Sequence, residues 1–448
     1  MQLNKYKSQN VAVFGLGKTG LSVINALISS GARIYAWDDN EGQIANAKTI
    51  CKECNFIHPK KYNWHEIGTL ILSPGVPISY PMPHWIVKLA RSFDCKIKSD
   101  IELFLEAKTA SQKVIGVTGT NGKSTTTSLI GYILKSAGRK VAIGGNLGLP
   151  VLDLNRDAEI YVIEFSSFQL ELMNEINVDI SVLLNIAPDH IDRHGNIENY
   201  IAVKSRLVEG SKVAVIGCDN EFTAEIFDKF TGNKIPVLAS ILPFLSFQSS
   251  NTGIQLGHVS DMKINLVSNA ENIAAAYAVC KLLKIDSNII IDGIKSFPGL
   301  KHRNEPLGKI ENVLFVNDSK ATNAKSSEKA ILSYKNIYWI VGGKSKEGGI
   351  ELLSKHFTRI RKAFLIGEST EAFANTMENK VDYMKCCNLE NALKLAFREA
   401  INNKEKITIL LSPACASFDQ WKSFEERGEA FCKMFENLRN AFTITCAV

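Results

Sequence analysis

The sequence predicts an α/β protein with three domains, and three observations lead to this. At 448 residues and 49.5 kDa, the chain is too long for one ordinary hydrophobic core. Short β-branched runs, among them VAVF, VIGVT, IYVIE and ISVLLN, alternate with helical patterns, as in parallel sheets covered by helices. Two polar joints interrupt the pattern, at 108–113 and 298–306. They predict domains at 1–110, 111–300 and 301–448.

Composition and charge argue against several classes of protein. The formal charge of +6 is small for this length, and the Lys and Arg residues form no run with interleaved aromatics, so no nucleic-acid partner is expected. The longest apolar stretch, 235–247, contains two prolines and is too short to span a membrane. The polar N-terminus does not have the pattern of a signal peptide. We therefore expect a cytoplasmic protein without a membrane partner.

Ten cysteines without regular spacing predict free thiols in a reducing compartment. Cys51 and Cys54 form a CxxC motif inside a predicted helix at 43–54, but no second ligand pair follows at zinc-finger spacing. We therefore expect neither a metal nor a redox role for this motif.

The first domain opens on a glycine pattern typical of nucleotide binding. In VAVFGLGKTG, Gly15, Gly17 and Gly20 fit GxGxxG directly after a predicted strand, and Asp38 ends the next strand. Glycines at these positions let the backbone approach a phosphate at a helix N-terminus. The pattern predicts a Rossmann-like domain that binds a nucleotide. Taken alone, it also fits an NAD-linked dehydrogenase, or a tight turn without a ligand.

The second domain opens on VIGVTGTNGKSTTT, a strand, a glycine-rich loop and a helix of the kind that surrounds phosphates with backbone N–H groups. The strict P-loop pattern fails at one place, where Val117 stands at the position of the first glycine. Lys123 is expected to meet the β- and γ-phosphates, and the hydroxyl of Ser124 or Thr125 to ligate Mg²⁺. Taken alone, this loop also fits a P-loop ATPase or a nucleotide-binding regulator.

Polar residues follow the next two predicted strands of the central domain. After the first strand come Glu164, Ser166 and Gln169, and after the second come Asp189, His190, Asp192 and His194. The carboxyl ends of parallel strands face the ligand crevice of an open sheet. Beside a P-loop, two such groups favour a Mg²⁺ site, although capping of helices is the alternative for each of them.

Lys204 is predicted to lie in the middle of an apolar helical stripe. Ile197, Tyr200, Ile201 and Val208 stand at helical spacing around it. Burial would lower the pKa of this lysine, so that a neutral amine could take up carbon dioxide as a carbamate. In the alternative, its stem packs on the stripe and the ammonium reaches solvent.

Three segments together, GTNGKST, EFSSFQLE and DHIDRH, closely resemble the Mur ligases, ATP-dependent amide-forming enzymes of peptidoglycan synthesis with three α/β domains. The folylpolyglutamate synthases share the general plan and are an alternative. In the third domain, VNDSKATN and LLSPACASFDQWKSFEERG look like the member that adds D-glutamate. The resemblance implies a central P-loop ATPase-like domain, a C-terminal Rossmann-like domain, and ATP and Mg²⁺ as cofactors. It also implies that a cytoplasmic monomer joins UDP-N-acetylmuramoyl-L-alanine and D-glutamate through an acyl phosphate.

The resemblance further implies roles for individual residues. For ATP it implies Gly119, Thr120, Asn121, Gly122, Lys123, Ser124, Thr125, Asn272, Arg303 and Asp318. For the metal it implies Ser124, Glu164, His190 and Lys204, the last as a carbamate. For the UDP-linked substrate it implies Leu16, Lys18, Thr19, Asp38, Ser73, Gly75, Asn146, Ser166 and Gln169, and for D-glutamate it implies Thr322, Lys346, Ser417 and Phe424. The residues expected to take part in catalysis are Lys123, His190, Lys204, Arg303 and Asp318.

The chain departs from the family's pattern at two places and is ambiguous at a third. Ser268 stands where the family often has the histidine of HNxxN, whereas the following asparagine, Asn272, is kept. Lys301 stands where a hinge proline would stiffen the joint. The loop GGKSKEGG contains two lysines, Lys344 and Lys346, and Lys346 is the one that fits by spacing.

Overall fold

The computed structural model describes residues 1, 3–238, 266–345 and 348–445. Within these ranges the strands form three sheets with helices against them, which confirms the predicted α/β class. One compact unit holds the first two sheets, and a second unit holds the third sheet with all described residues from Pro298 onward. No helix in the described ranges is long and apolar enough to cross a membrane.

The first sheet is parallel, with the strand order β2-β1-β3-β4. Its elements are β1 (Asn10–Phe14), α1 (Lys18–Ser29), β2 (Arg33–Trp37), α2 (Glu41–Ile50), β3 (Ile67–Leu72), α3 (Trp85–Ser92), β4 (Lys96–Lys98) and α4 (Asp100–Ala107). Four of the five residues of β1 are buried, as expected for a strand covered on both faces. Because β2 and β3 lie on opposite sides of β1, a crevice opens at the carboxyl end of β1.

The second sheet is also parallel, with the strand order β10-β9-β8-β5-β7-β6. Its strands are β5 (Lys113–Thr118), β6 (Val141–Gly145), β7 (Ile160–Glu164), β8 (Val178–Leu183), β9 (Ser211–Gly217) and β10 (Asn233–Val237). Its helices are α5 (Lys123–Ser136), α6 (Ser167–Leu172), α7 (Ile191–His194), α8 (Ile197–Glu209), α9 (Glu221–Lys229), α10 (Leu266–Leu282) and α11 (Ser287–Ser296). The chain changes direction across the sheet on either side of β5, so the loops after β5, β7 and β8 open on one crevice.

The third sheet has the strand order β11-β12-β16-β13-β14-β15. Its elements are β11 (Glu305–Ile310), β12 (Val313–Asn317), α12 (Ala324–Ser333), β13 (Ile337–Gly342), a 3-10 helix (Glu351–Arg359), β14 (Ile360–Ile366), α13 (Thr370–Met377), β15 (Tyr383–Cys387), α14 (Leu389–Ile401), β16 (Ile407–Leu411) and α15 (Phe424–Thr445). β11 runs antiparallel to β12, and the other pairs are parallel. Every residue of β13 and β16 is buried, so these two strands form the centre of the domain's core.

The first two sheets share a hydrophobic core. One cluster of buried side chains includes Leu27 and Phe104 from the first sheet's helices and Tyr161 from β7. The rings of Phe104 and Tyr161 pack edge to face with centroids 4.9 Å apart. This packing explains why the predicted first and second domains belong to one compact unit. The predicted boundaries near 110 and 300 stay predictions.

Two helix ends adjoin motifs identified in the sequence. The P-loop helix α5 begins at Lys123, directly after Gly122, which adopts a left-handed conformation (φ 87°). The helix predicted at 43–54 is wrong at its C-terminal end, since α2 ends at Ile50 and the CxxC motif follows it. Each cysteine of the described residues has a free thiol, which confirms that prediction for this part of the chain.

Candidate active site

The glycine-rich loop after β1 is closed by contacts with Ser73 and Asp38. Asp38 Oδ2 accepts a hydrogen bond from the backbone N–H of Leu16 (2.6 Å), and Ser73 Oγ donates to the carbonyl oxygen of Gly15 (2.8 Å). A Cβ atom on Gly20 would lie 1.9 Å from the same carbonyl oxygen, so only glycine fits there. The structure therefore brings Leu16, Asp38 and Ser73 together at the carboxyl end of the first sheet.

Other residues predicted for the UDP-linked substrate have their polar atoms engaged elsewhere. Lys18 Nζ donates to the carbonyl oxygen of Gly148 (2.6 Å), which follows β6 of the second sheet. Asn146 Nδ2, after the same strand, donates to Glu164 Oε1 (2.7 Å) at the end of β7. Ser166 and Gln169 form the capping box of α6, where Ser166 Oγ accepts from the Gln169 N–H (3.2 Å) and Gln169 Oε1 accepts from the Ser166 N–H (2.9 Å). Helix capping therefore accounts for the polar atoms of this pair.

The P-loop after β5 is held against the end of β8. The N–H of Asn121 donates to Asn185 Oδ1 (3.0 Å), and Asn185 Nδ2 donates to the carbonyl oxygen of Asn121 (3.2 Å) and to Glu271 Oε2 (2.6 Å). Sequence reasoning missed Asn185, although its place directly after a strand next to β5 would have identified it. Its side chain positions the backbone of the loop.

Asn272 contacts the P-loop directly. A Cβ atom on Gly122 would lie 2.1 Å from Asn272 Oδ1, and Thr126 Oγ1 donates to the same oxygen (3.2 Å). Lys123 Nζ donates to the carbonyl oxygens of Gly119 and Thr120, both at 2.9 Å. The loop thus gathers a lysine and an amide side chain at the N-terminus of α5, a position that favours anions.

Glu164 ends β7 beside this loop and is almost fully buried. Its Oε1 atom accepts the hydrogen bond from Asn146, and its Oε2 atom is buried without a hydrogen-bond partner in the described part of the chain. Ser124, in the first turn of α5, is buried as well. A buried carboxylate oxygen without a partner is costly, and a cation is one of the ligands that would satisfy it.

The residues of DHIDRH diverge in the structure. His190 is exposed in a left-handed conformation (φ 53°) with Nε2 3.6 Å from Asp189 Oδ2, and Asp192 is exposed as well. His194 is buried, and its Nε2 atom lies 3.0 Å from Ser167 Oγ. Burial lowers the pKa of His194, which is therefore neutral at pH 7. The structure thus places the His194 ring inside the domain and the His190 ring at the surface, so the two histidines of the motif do not face the same space.

Lys204 is buried, as its place in the apolar stripe of α8 predicted, with 1% of its surface exposed. Its Nζ atom donates to Thr118 Oγ1 (3.2 Å) and to the carbonyl oxygen of Gly119 (2.8 Å), and it lies 4.8 Å from the centroid of the Tyr200 ring. Burial, together with the nearby charge of Lys123, lowers the pKa of Lys204 well below its usual value. The alternative of an ammonium that reaches solvent is wrong.

In the third-sheet unit, Asp318 follows β12 and is buried. Its Oδ2 atom accepts from Ser412 Oγ (2.7 Å), and its Oδ1 atom accepts from the N–H of Asn304 (3.0 Å). Burial raises the pKa of Asp318 to about 7, against these hydrogen bonds and the charges of Arg303 and Arg427, which lower it.

Three of the four residues predicted for D-glutamate lie on the loops after β12 and β16 and at the start of α15. Ser319 Oγ donates to the carbonyl oxygen of Phe424 (2.8 Å), and Lys320 Nζ lies 4.0 Å from the centroid of the Phe424 ring. Ser417 is buried after β16, and Thr322 is half-buried after β12. Lys346 lies outside the described residues.

One group of possible metal ligands occurs in the described part of the chain, His302, Glu305 and Cys432. The side-chain amide of Asn317 lies among them, with Nδ2 3.0 Å from His302 Nδ1 and 3.2 Å from Cys432 Sγ. It also donates to the carbonyl oxygen of Gly428 (2.9 Å). Because this amide already contacts the potential ligand atoms of His302 and Cys432, we assign the group a structural role.

Two family models match the chain. The model for "Mur ligase MurD-like, N-terminal domain" matches residues 9–89, and the model for "Mur ligase middle domain" matches residues 117–280. Relatives named UDP-N-acetylmuramoylalanine–D-glutamate ligase include one from Wolbachia sp. subsp. Brugia malayi (strain TRS), 70% identical, and one from Wolbachia pipientis wMel, 68% identical. In both cases the similarity covers 100% of both chains.

Solved structures have the same fold at low identity. The UDP-N-acetylmuramate-alanine ligase of Thermotoga maritima has a TM-score of 0.58 and 16% identity, over 96% of this chain and 99% of that chain. At this identity the likeness concerns the fold alone.

Proposed function

The chain belongs to the Mur ligase family, and we propose that its three sheets divide between them the substrates of a ligation that joins D-glutamate to UDP-N-acetylmuramoyl-L-alanine in peptidoglycan precursor synthesis. The enzyme is an ATP-dependent, amide-forming ligase. The observation that carries the proposal is the P-loop at the end of β5, with a buried carboxylate, Glu164, and a buried lysine, Lys204, beside it. We propose domains at 1–110, 111–300 and 301–448, one for each sheet.

The chemistry requires an activated carboxylate, because a carboxylate does not condense with an amine in water. We propose that the γ-phosphoryl group of ATP moves to the carboxylate of the muramoyl-alanine substrate, which forms an acyl phosphate and ADP. The amine of D-glutamate attacks the carbonyl carbon, the bond to the phosphate oxygen breaks, and the amine loses a proton near His190 or Asp189. Lys123, at the N-terminus of α5, offsets charge on the phosphoryl group. For Arg303 and Asp318 we propose the nucleotide role that the family implies.

Mg²⁺ is the metal we propose for the second sheet. The buried, unpartnered Oε2 atom of Glu164 fits a cation, and the hydroxyl of Ser124 and the exposed ring of His190 supply further ligands of suitable chemistry. When bound, the metal would offset the negative charge of the phosphates. An ammonium on Lys204 would repel it, whereas a carbamate formed on the neutral amine would supply oxygen ligands. We therefore propose that Lys204 acts as its carbamate.

The UDP-linked substrate is proposed to bind at the first sheet. Leu16, Asp38 and Ser73 meet around the glycine-rich loop, whose backbone can approach a pyrophosphate. Lys18 and Thr19 lie at the start of α1, and Gly75 lies just past Ser73. Asn146 remains part of this proposal, through the carboxylate of Glu164 that it contacts. This use of the loop differs from that of an NAD-linked dehydrogenase.

D-glutamate is proposed to bind at the third sheet. Thr322, Ser417 and Phe424 lie on segments that follow β12 and β16, and Lys346 is proposed as a cation for a substrate carboxylate. We propose that the enzyme acts as a monomer in the cytoplasm, and the free thiols of the described cysteines are consistent with a reducing compartment.

The test is phosphate release from ATP with each substrate added in turn. The proposal expects release only when both UDP-N-acetylmuramoyl-L-alanine and D-glutamate are present, and little with L-glutamate, lysine or meso-diaminopimelate. Release without either substrate would identify an ATPase instead. Release with a folate substrate and glutamate would favour the folylpolyglutamate synthase alternative, and NAD reduction without release would identify a dehydrogenase.

A further inference from the structure

Arg427, in the first turns of α15, is one of the largest fully buried side chains of the described residues, with 1% of its surface exposed. Its Nε atom donates to Ser319 Oγ (2.9 Å), and its Nη2 atom donates to the carbonyl oxygens of Ser319 (2.8 Å) and Cys415 (3.1 Å). In the described part of the chain, no carboxylate oxygen lies within 4.0 Å of its nitrogen atoms. Among the described residues, the hydrogen-bond acceptors of the guanidinium are thus all neutral.

A buried cation without an adjacent anion is costly, because it has lost its water without gaining an ion pair. Burial lowers the pKa of Arg427 to about 10, so the group still keeps its charge at neutral pH. Cys415, Asp419 and Asp318 raise the pKa of Arg427 against this burial, and neither aspartate forms an ion pair with it. The third-sheet unit therefore contains a fixed positive charge for which its described residues supply no ion-pair partner.

This charge lies where the loops of the third sheet converge. Ser319 follows β12, Cys415 follows β16, and a Cβ atom built on Gly343, at the end of β13, would lie 3.4 Å from Arg427 Nη1. Those three strands are neighbours in the sheet, in the order β12-β16-β13. The segments that Arg427 connects are the ones that contain Thr322 and Ser417, the residues proposed for D-glutamate.

We propose that Arg427 is a positioning residue that makes the amino-acid site select a substrate with a second carboxylate, and this inference rests on the proposed D-glutamate site. Arg427 itself is too buried to touch the substrate. It acts in two ways, by holding the loops after β12 and β16 in register and by adding a positive potential that attracts the second carboxylate of the substrate. In a low-dielectric interior such a charge acts over several ångströms with little screening.

The test compares D-glutamate with its neutral isostere D-glutamine, as substrate and as competitive inhibitor, in the wild type and three variants. In R427Q we expect the preference for D-glutamate, as a ratio of kcat/KM or of binding constants, to fall by roughly tenfold. The fall should come from the KM for D-glutamate, while the KM for ATP stays unchanged. In R427K the charge remains, so the ratio should stay close to that of the wild type, although the loss of the planar fork should lower Tm.

The matched control is K433Q, which removes the same charge from an exposed position on the same helix, and whose ratio should equal that of the wild type. An unchanged ratio in R427Q would overturn the inference, and so would a ratio in R427K that falls as far as in R427Q. If R427Q does not fold, the inference still fails on R427K, where a ratio of roughly a tenth of the wild-type value would show that the charge does not set the preference. A wild-type enzyme that does not prefer D-glutamate would instead overturn the proposed function before any variant is compared.

Discussion

Two fully buried cations reach the carboxyl ends of different sheets, Lys204 in the second and Arg427 in the third. Both are held by neutral oxygens, among them the carbonyl of Gly119 for the lysine and that of Ser319 for the arginine. Burial lowers the pKa of Lys204 well below its usual value, whereas the pKa of Arg427 falls only to about 10. The same burial thus favours a neutral amine in one sheet and leaves a charge in the other.

The difference follows from the chemistry of the two groups. An ammonium concentrates its charge and loses a proton readily when its water is removed, whereas a guanidinium spreads its charge and keeps its proton. Lys123 increases the contrast, because its Nζ atom donates to the same Gly119 carbonyl as Lys204 and two adjacent cations repel each other. A neutral lysine suits a site proposed to hold a carbamate and Mg²⁺, and a permanent charge suits a site proposed for an acidic amino acid.

The largest effect is expected from the removal of Lys123, the lysine of the P-loop. K123A should lower turnover by roughly 10³-fold, since the group that offsets charge on the transferred phosphoryl is lost. Its Tm should change little, because the side chain is only half-buried and serves the loop. K135A, an exposed lysine at the end of the same helix, is the matched control and should be fully active. Near-normal phosphate release by K123A would remove this lysine from the mechanism.

A smaller but more diagnostic effect is expected at Lys204 itself. K204A should lose activity by roughly 10²-fold, and acetate added to the assay should restore part of it, because a small carboxylate can replace the carbamate oxygens. The activity of K204R should not recover with acetate, since the guanidinium of this variant keeps its charge, as that of Arg427 does. Full activity in the alanine variant would contradict the carbamate, and so would density that ends at a bare ammonium in an active, Mg²⁺-bound crystal.

The contrast also separates what sequence can predict from what it cannot. The β-branched runs predicted strands correctly, and the stripe around Lys204 predicted a buried lysine, because periodicity reports which face of an element is covered. Arg427 gave no such signal. It lies among FEERGEAF, where charged residues are typical of a solvated helix face, and only the packing of the loops after β12 and β16 shows that it is buried.

The same limit applies to residues near the predicted sites. Ser166 and Gln169 have the residue types of a ligand site and equally those of a capping box, and the structure uses them as a cap. His194 stands in a motif with His190, yet the short turn of α7 sends one ring outward and the other inward. Residue type and spacing identify which segment carries chemistry, whereas local backbone direction decides which side chain faces the crevice.

A direct contact with the substrate should matter more than a buried charge behind it. Lys346 is proposed from the family resemblance as that contact, so K346A should raise the KM for D-glutamate by more than the roughly tenfold change expected for R427Q. The KM for ATP should stay the same. K344A, the other lysine of the loop, is the control and should leave the KM for D-glutamate unchanged. Equal changes in both KM values, or none in K346A, would contradict the assignment.

The smallest effect concerns stability. It tests whether the charge of Arg427 changes the pKa of Asp318. Burial raises the pKa of Asp318 from 3.8 to about 7, and Arg427 is one of the charges that lower it. A carboxyl group with a raised pKa binds its proton more tightly in the folded state, so it stabilises the fold below about pH 4 and loses that contribution as pH rises to about 7. D318N has no such proton to lose, and Ser412 can rotate its hydroxyl to accept from the new amide.

We therefore expect the Tm of D318N relative to that of the wild type to increase by a few degrees between pH 4 and pH 7. In R427Q a counter-charge of Asp318 is missing, so the pKa of the carboxyl group should rise further and the loss of stability should move to higher pH. D382N, which alters an exposed carboxylate of the same unit, should show a Tm difference that does not vary in this window. If the pH profile of Tm in R427Q coincides with that of the wild type, the guanidinium charge does not affect the pKa of Asp318. That result would also weaken the argument that the same charge stabilises a bound substrate.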